Sequence, residues 1–296
     1  MLTIPEAGKH KMLSRKTNEQ TNGYRRYAVR KTLVLGALAC LILIMAVAAL
    51  NAGAIKLNPY QVFRAVIGKG IDTADIVIWR IRLPRILAAV VAGTGLAAAG
   101  CVMQNNLRNP LASPSTLGIS SAAAFGANLA IIVFGAGTIR STGADAVNIS
   151  NPYFVTTAAF LCSMIAAGII LLLAKAGGFT PEAIVLAGVA LSSLFSAGTI
   201  LIQYFAEDVQ IAAAVFWTFG DLGRVAWQEV IILAVIVVCA TVYFLFRRWD
   251  YNALASGEET AKSLGVHVDR VRLGGMLVPS LITAVAVSFL GIIGFV

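Results

Sequence analysis

Charge is scarce in this chain. Only 12% of its 296 residues are Asp, Glu, Lys or Arg, against about a quarter in a soluble domain, which excludes an ordinary water-soluble globule. Histidine occurs twice, as His10 and His267, both in polar stretches. The four cysteines, Cys40, Cys101, Cys162 and Cys239, each stand alone in an apolar stretch, with no CxxC or Cys/His spacing. That pattern excludes a disulfide framework and offers no metal site; the cysteines read as small buried hydrophobes. There is no Gly-x-x-x-x-Gly-Lys-Ser/Thr, so no P-loop hydrolyses nucleotide here. No charged residue falls deep in an apolar run, where ion-coupled carriers keep carboxylates or histidines and where a membrane-embedded enzyme needs acid/base pairs or metal ligands. Repeats with a period of 20 to 50 residues and low-complexity tracts are also absent, leaving one membrane domain behind a short leader.

What is abundant is apolar length. Hydrophobic residues make up 58% of the chain and the mean hydropathy is +0.83. A bilayer core needs roughly 20 apolar residues of helix. Seven uncharged stretches meet that length: 32–55, 86–107, 109–139, 153–174, 183–206, 230–246 and 273–296. The fold class is therefore all-α, a polytopic transmembrane bundle. The third stretch is too long for one span, and its helix is expected to start after Pro114 and end near Phe134, before Gly135-Ala136-Gly137. Residues 1–31 form a basic leader, expected to be disordered, and the run after it reads as a signal anchor that stays.

With the N-terminus in the cytoplasm, fifteen of the 23 Lys/Arg lie inside, as the positive-inside rule asks, so the chain is expected in the cell membrane in that orientation. The basic residues sit at the ends of apolar runs rather than on one face, which argues against nucleic acid as a partner. Six lie together on the outer side, Lys56, Arg64, Lys69, Arg80, Arg82 and Arg85. An arginine at mid-bilayer costs about 2.5–3.5 kcal/mol, so Arg82 and Arg85 mark an aqueous end of the second span. There they either snorkel to lipid phosphates or receive acidic residues of a soluble partner through bidentate bonds.

Three further segments carry local information. The second span holds Gly93, Gly95, Ala97, Ala98, Ala99 and Gly100, a nearly side-chain-free stretch that predicts a central helix, unless it only reflects the frequency of small residues in membranes. The turn from Gln104 through Asn109, Pro110, Pro114 and Gly118 to Ser120 and Ser121 is irregular, and either borders a translocation path or is an ordinary tight loop. In the 247–272 loop, Ser256 with Glu259 reads as a capping box and Gly265 as a stop, predicting a short helix over about 257–264. So short a helix needs a support, either a cytoplasmic protein or the membrane surface. The outer segment 205–230 carries Trp217 and Trp227 as interfacial aromatics, and Gly220 and Gly223 suit a movable gate.

Four motifs resemble those of the FecCD permeases: Arg82-Leu-Pro-Arg85; Asn109-Pro-Leu-Ala-x-Pro114-x-x-Leu-Gly118-x-Ser120; Gly257-Glu-Glu-x-Ala261-x-x-Leu-Gly265; and Gly291-x-x-Gly294-Phe295. The similarity runs from about residue 33 to the end of the chain. It implies the permease subunit of an ABC importer for iron–siderophore, haem or cobalamin-type chelates. Such an importer has a homodimer or paired permease, two cytoplasmic ATPase subunits that bind Mg-ATP, and an external binding protein; the permease itself holds no cofactor. By the same resemblance, Arg82 and Arg85 dock acidic residues of the binding protein. Leu254, Ser256, Gly257, Glu258, Glu259, Ala261, Leu264 and Gly265 form the coupling contact with the ATPase. Ser256 stands where the family usually has leucine. The family typically has ten spans, so about three are expected beyond this sequence. A secondary carrier and an ABC permease for bare zinc or manganese ions are the alternative readings.

Overall fold

The computed structural model describes residues 6–53, 55, 57–68, 72–136, 151–178 and 180–293. Lys56, Lys69, Gly137, Gly294 and Phe295 lie outside the described residues. The chain divides into two compact units, residues 1–78 and 79–296. In the first unit, α1 (Glu6–Asn51) is one helix of 46 residues, so residues 6–31, expected to lack structure, are helical. No proline interrupts 6–51, and a span helix already nucleated extends upstream at little cost through Lys, Arg, Met, Leu and Gln. α2 (Pro59–Val66) is started by Asn58, whose side chain accepts from the Tyr60 N–H while its own N–H donates to Gln61 Oε1. α3 (Asp72–Asp75) leads into a π-helical turn, Ile76–Arg82.

In the second unit, α4 (Leu83–Leu107) follows with Pro84 in its first turn, as expected. The helix does not begin there, however, because Thr73–Leu107 is one apolar helical stretch of 35 residues. The wider π turn relieves the clash between a proline ring and the carbonyl four residues back, which lets the helix run on upstream. A 3-10 turn, Pro114–Leu117, then gives α5 (Ile119–Asn128), continued as π helix over Leu129–Val133. The remaining helices are α6 (Pro152–Ala176), α7 (Pro181–Tyr204), α8 (Asp208–Thr218), α9 (Trp227–Phe246), α10 (Arg248–Ala255), α11 (Glu258–Ser263) and α12 (Val268–Leu290). Among the described residues there is no strand, and the all-α membrane architecture stands. Among the described residues six helices are long and apolar enough to cross a membrane. The third expected span, placed after Pro114 and ending near Phe134, is the helix Ile119–Val133, shorter than the other six because the 3-10 turn takes up Pro114–Leu117.

The centre of the second unit is α12, not α4. Two-thirds of its most apolar window is buried (67%), against 33% for the stretch containing α4. Its residues enter all three apolar clusters: Ile282 and Val285 pack with α4 and α9, Met276 and Ala284 with α5 to α7, and Val287 with α6 and α8. Ser280, Thr283 and Ser288, all buried, donate to carbonyls three or four residues back on the same helix, so their hydroxyls cost little in an apolar setting. The stripe in α4 is used on one side only. A Cβ at Gly95 would lie 2.6 Å from Val237 and 3.0 Å from Ile282, whereas Gly93 and Gly100 have nothing within 4 Å.

Candidate functional site

α4 and α12 run side by side and bring the singled-out residues to two ends of the unit. At the Arg108 end, the last turn of α4 is tied to the loop helices by side chains on carbonyls. Asn105 donates to the Tyr251 carbonyl (3.2 Å), Asn106 to that of Arg272 (2.9 Å), and Arg108 to that of Leu254 (3.1 Å). Arg108 closes α4 in the left-handed region, φ 47°. Side chains of the proline turn bond its own backbone. Gln104 donates to the Pro110 carbonyl (2.9 Å) and Asn109 Oδ1 accepts from the Leu111 N–H (2.9 Å). Pro114 opens the 3-10 turn, which Gly118 ends against Ser192 of α7. Ser120 is buried and Ser121 half-buried on α5.

α11 is a helix of six residues, nearly as expected, but its start differs. Gly257 is the N-cap and no side chain caps it. The Ser256 hydroxyl donates instead to the Asn252 carbonyl (3.2 Å), and Ser256 is itself the helical C-cap of α10 (φ −76°, ψ −9°), not the extended residue an N-cap requires, so the capping box is not made. Gly265, φ 80°, ends α11, with the Val266 N–H on the Ala261 carbonyl (3.0 Å). The coupling candidates separate by burial: Leu254 and Ala261 are fully buried and hold the loop, while Glu259 and Leu264 are exposed, as is Trp249 on α10. Glu258 turns back, pairing with Arg272 (2.8 Å) and Lys262 (3.0 Å).

At the opposite end lie the arginines and the glycines of the 205–230 segment. Arg85 is exposed, but Arg82 is buried, 7% accessible, at the last position of the π turn. The two arginines expected as a surface pair are therefore not equivalent. A Cβ at Gly223 would lie 2.9 Å from Arg85 Nη2 and 2.9 Å from Asp221 Oδ1. Arg85 and the 220–224 segment are therefore brought together. Gly220, φ 66°, sits at a backbone crossing with Gly291: a Cβ on Gly291 would be 2.6 Å from the Trp217 carbonyl oxygen and 2.7 Å from Gly220 Cα. The Asp221 N–H donates to the Leu290 carbonyl there (2.8 Å). Beside this crossing opens a cavity of about 470 Å³ lined by Ala92, Gly93, Leu96, Gly220, Asp221, Leu290 and Ile293, among others. Gly100 lies further along α4, outside that lining.

Residues 41–296 match the FecCD transport family. The chain belongs to that family. A Methanocaldococcus jannaschii protein named as an ABC transporter permease is 56% identical over 92% of this chain and 78% of its own length. A hemin transport system permease of Yersinia pestis is 33% identical over 90% of this chain and 77% of its own length. A cobalamin import system permease of Halobacterium salinarum is 39% identical over 76% of this chain and 57% of its own length. A solved structure described as an inward-facing conformation of a metal-chelate type ABC transporter superposes with a TM-score of 0.73 at 29% identity, covering 88% of this chain and 77% of that one. This FecCD chain is thus a multi-pass membrane permease subunit of the ABC type, a part that is not itself catalytic.

Reading the sequence of this FecCD permease left several contacts unseen. Trp227, assigned to the interface, donates to the Trp79 carbonyl (2.7 Å) and stacks on that ring, which satisfies a carbonyl in the π-helical turn Ile76–Arg82. Asn106 and Arg272, which no motif singles out, are both buried. The hydrogen bonds from Lys262 and Arg272 hold the Glu258 carboxyl below its usual range. A carboxyl depressed on folding adds stability above its unfolded pKa, near 4.5, and that stability is lost as pH falls through the folded value. Thermal unfolding of the Glu258→Gln permease is therefore expected below that of the native chain at pH 7. The gap should close as the pH drops under 4.5; a gap unchanged at pH 3.5, roughly a unit lower, would remove Glu258 from the account.

Proposed function

We propose that this permease imports an iron–siderophore, haem or cobalamin-type chelate into the cytoplasm, as half of a homodimer or permease pair. Two cytoplasmic ATPase subunits bind Mg-ATP and supply the work; an external binding protein delivers the cargo. The N-terminus is cytoplasmic, so the Arg108 end faces the ATPase and the Arg85 end faces the binding protein. One observation carries the reading. A helix of six residues, too short to persist alone, is pinned at one end of α4 and α12, while the cavity and the exposed Arg85 lie at the other. Leu264 and Glu259 give the pinned helix an exposed face of mixed character. The cavity lining is largely apolar, with Asp221 as its charged member, which suits a chelate carried whole better than a bare ion needing a ligand set.

The test is reconstitution of the permease with its ATPase and binding protein in liposomes, offered labelled ferric siderophore, hemin or cobalamin. Accumulation of one of these that requires both ATP and the binding protein is expected. Uphill uptake by the permease alone, driven by an ion gradient, would overturn the proposal.

A further inference from the structure

We propose that Arg272 and Asn106 are the joint through which displacement of α11 reaches α4 and α12 together, which makes them positioning residues of the transport cycle. The inference rests on the importer reading above.

Three observations support the joint. First, the Arg272 side chain is 5% exposed and is paired with Glu258. A charge buried to that degree is strongly disfavoured once its partner leaves, so α12 follows Glu258 rather than releasing it. Second, the backbone carbonyl of that same Arg272 receives the Asn106 amide, and Asn106 is 1% exposed on the last turn of α4. One residue therefore holds α11 by its side chain and α4 by its backbone. Third, the seat of Asn106 is made to measure, because a Cβ at Gly275 would lie 2.6 Å from Asn106 Nδ2, so glycine there is what allows the amide to reach.

The neighbouring bonds from Asn105 and Arg108 have the same form, side chain to loop carbonyl. Such bonds are directional and fail over a few tenths of an ångström, whereas an apolar contact slides. The end of α4 is thus keyed to the loop rather than merely packed on it. Asn105 Oδ1, Asn106 Oδ1 and Arg272 Nε are buried without a partner among the protein's own groups. Unused donors and acceptors in one buried cluster leave room for a second set of bonds when α11 shifts, as a two-position joint needs. From here α4 and α12 run their full lengths to the cavity beside Gly220, and a tilt applied at the joint is delivered there.

The experiment uses the full complex in liposomes, measuring ATP hydrolysis and chelate uptake on the same preparation. Arg272→Glu is expected to keep hydrolysis within about twofold while uptake per ATP falls at least about tenfold; Glu258→Arg, which also changes the face presented to the ATPase, lowers uptake as well, and the double exchange is expected to recover most of the uptake per ATP. Asn106→Ala, which changes no charge, is expected to lower uptake per ATP about fivefold with the complex assembled. Native coupling ratios in Arg272→Glu and Asn106→Ala overturn the joint. So does an assembled double exchange no better than the single changes. A native complex that shows no ATP-driven uptake refutes instead the importer reading on which the joint rests.

Discussion

Arg85→Glu is expected to abolish binding-protein-dependent uptake while leaving the permease and its ATPase assembled. Arg85 is exposed at the end of the unit that carries Gly223 and Asp221, where a soluble partner can reach it. Reversing one charge of a docking pair replaces an attraction with a like-charge contact, a change of several kcal/mol, so affinity for the binding protein should fall by more than about a hundredfold. The binding protein added to the detergent-solubilised complex at rising concentration measures this directly, and its affinity should weaken steeply with salt in the native complex. Arg82→Glu gives a different result. It sets a carboxylate at a site 7% exposed, so the expected outcome is poor accumulation of folded protein rather than a docking defect. Full uptake by Arg85→Glu would show that the partner lands elsewhere.

That distinction between the arginines marks where the sequence stops being legible. Apolar runs bounded by charges read correctly as helices because lipid forbids anything else: 230–246 lies inside α9 and 153–174 inside α6. The same rule fails above α4, since Arg80, Arg82 and Arg85 broke the run although the helix continues through them. α8 escaped as well, because a helix of 11 residues falls below spanning length. Small residues are frequent in both α4 and α12, so composition could not rank them; which one is central depends on whose neighbours close on it, as Val237 and Ile282 close on Gly95 but nothing closes on Gly93. Within the site, Gly265 was legible because a helix stop is local. The Glu258–Arg272 pair spans 14 positions, and the Asn106–Arg272 bond 166, distances over which no periodicity speaks. The capping box misled for a related reason: the spacing was right, but Ser256 is taken up as the C-cap of α10.

Gly291→Ala is expected to destabilise this permease by far more than one methyl group ordinarily does. The added Cβ would meet the Trp217 carbonyl oxygen at 2.6 Å and Gly220 Cα at 2.7 Å, both backbone atoms that no rotamer change can move. Gly291 also has φ 77°, a region that glycine alone occupies freely. Overpacking and a left-handed backbone together come to about 2–4 kcal/mol. Relief requires parting the end of α8 from α12, which also breaks the Asp221 N–H to Leu290 carbonyl bond and reshapes the cavity beside it. Fluorescence-monitored thermal unfolding in detergent checks the stability; a midpoint equal to the native one would refute the crossing. Gly93→Ala supplies the contrast. It has nothing within 4 Å and sits inside a helix, so alanine there should leave the midpoint unchanged or raise it. Yet Gly93 lines the same cavity. If glycine is there for passage rather than for packing, Gly93→Ala should slow chelate uptake in a protein as stable as the native one, the opposite pattern to Gly291→Ala.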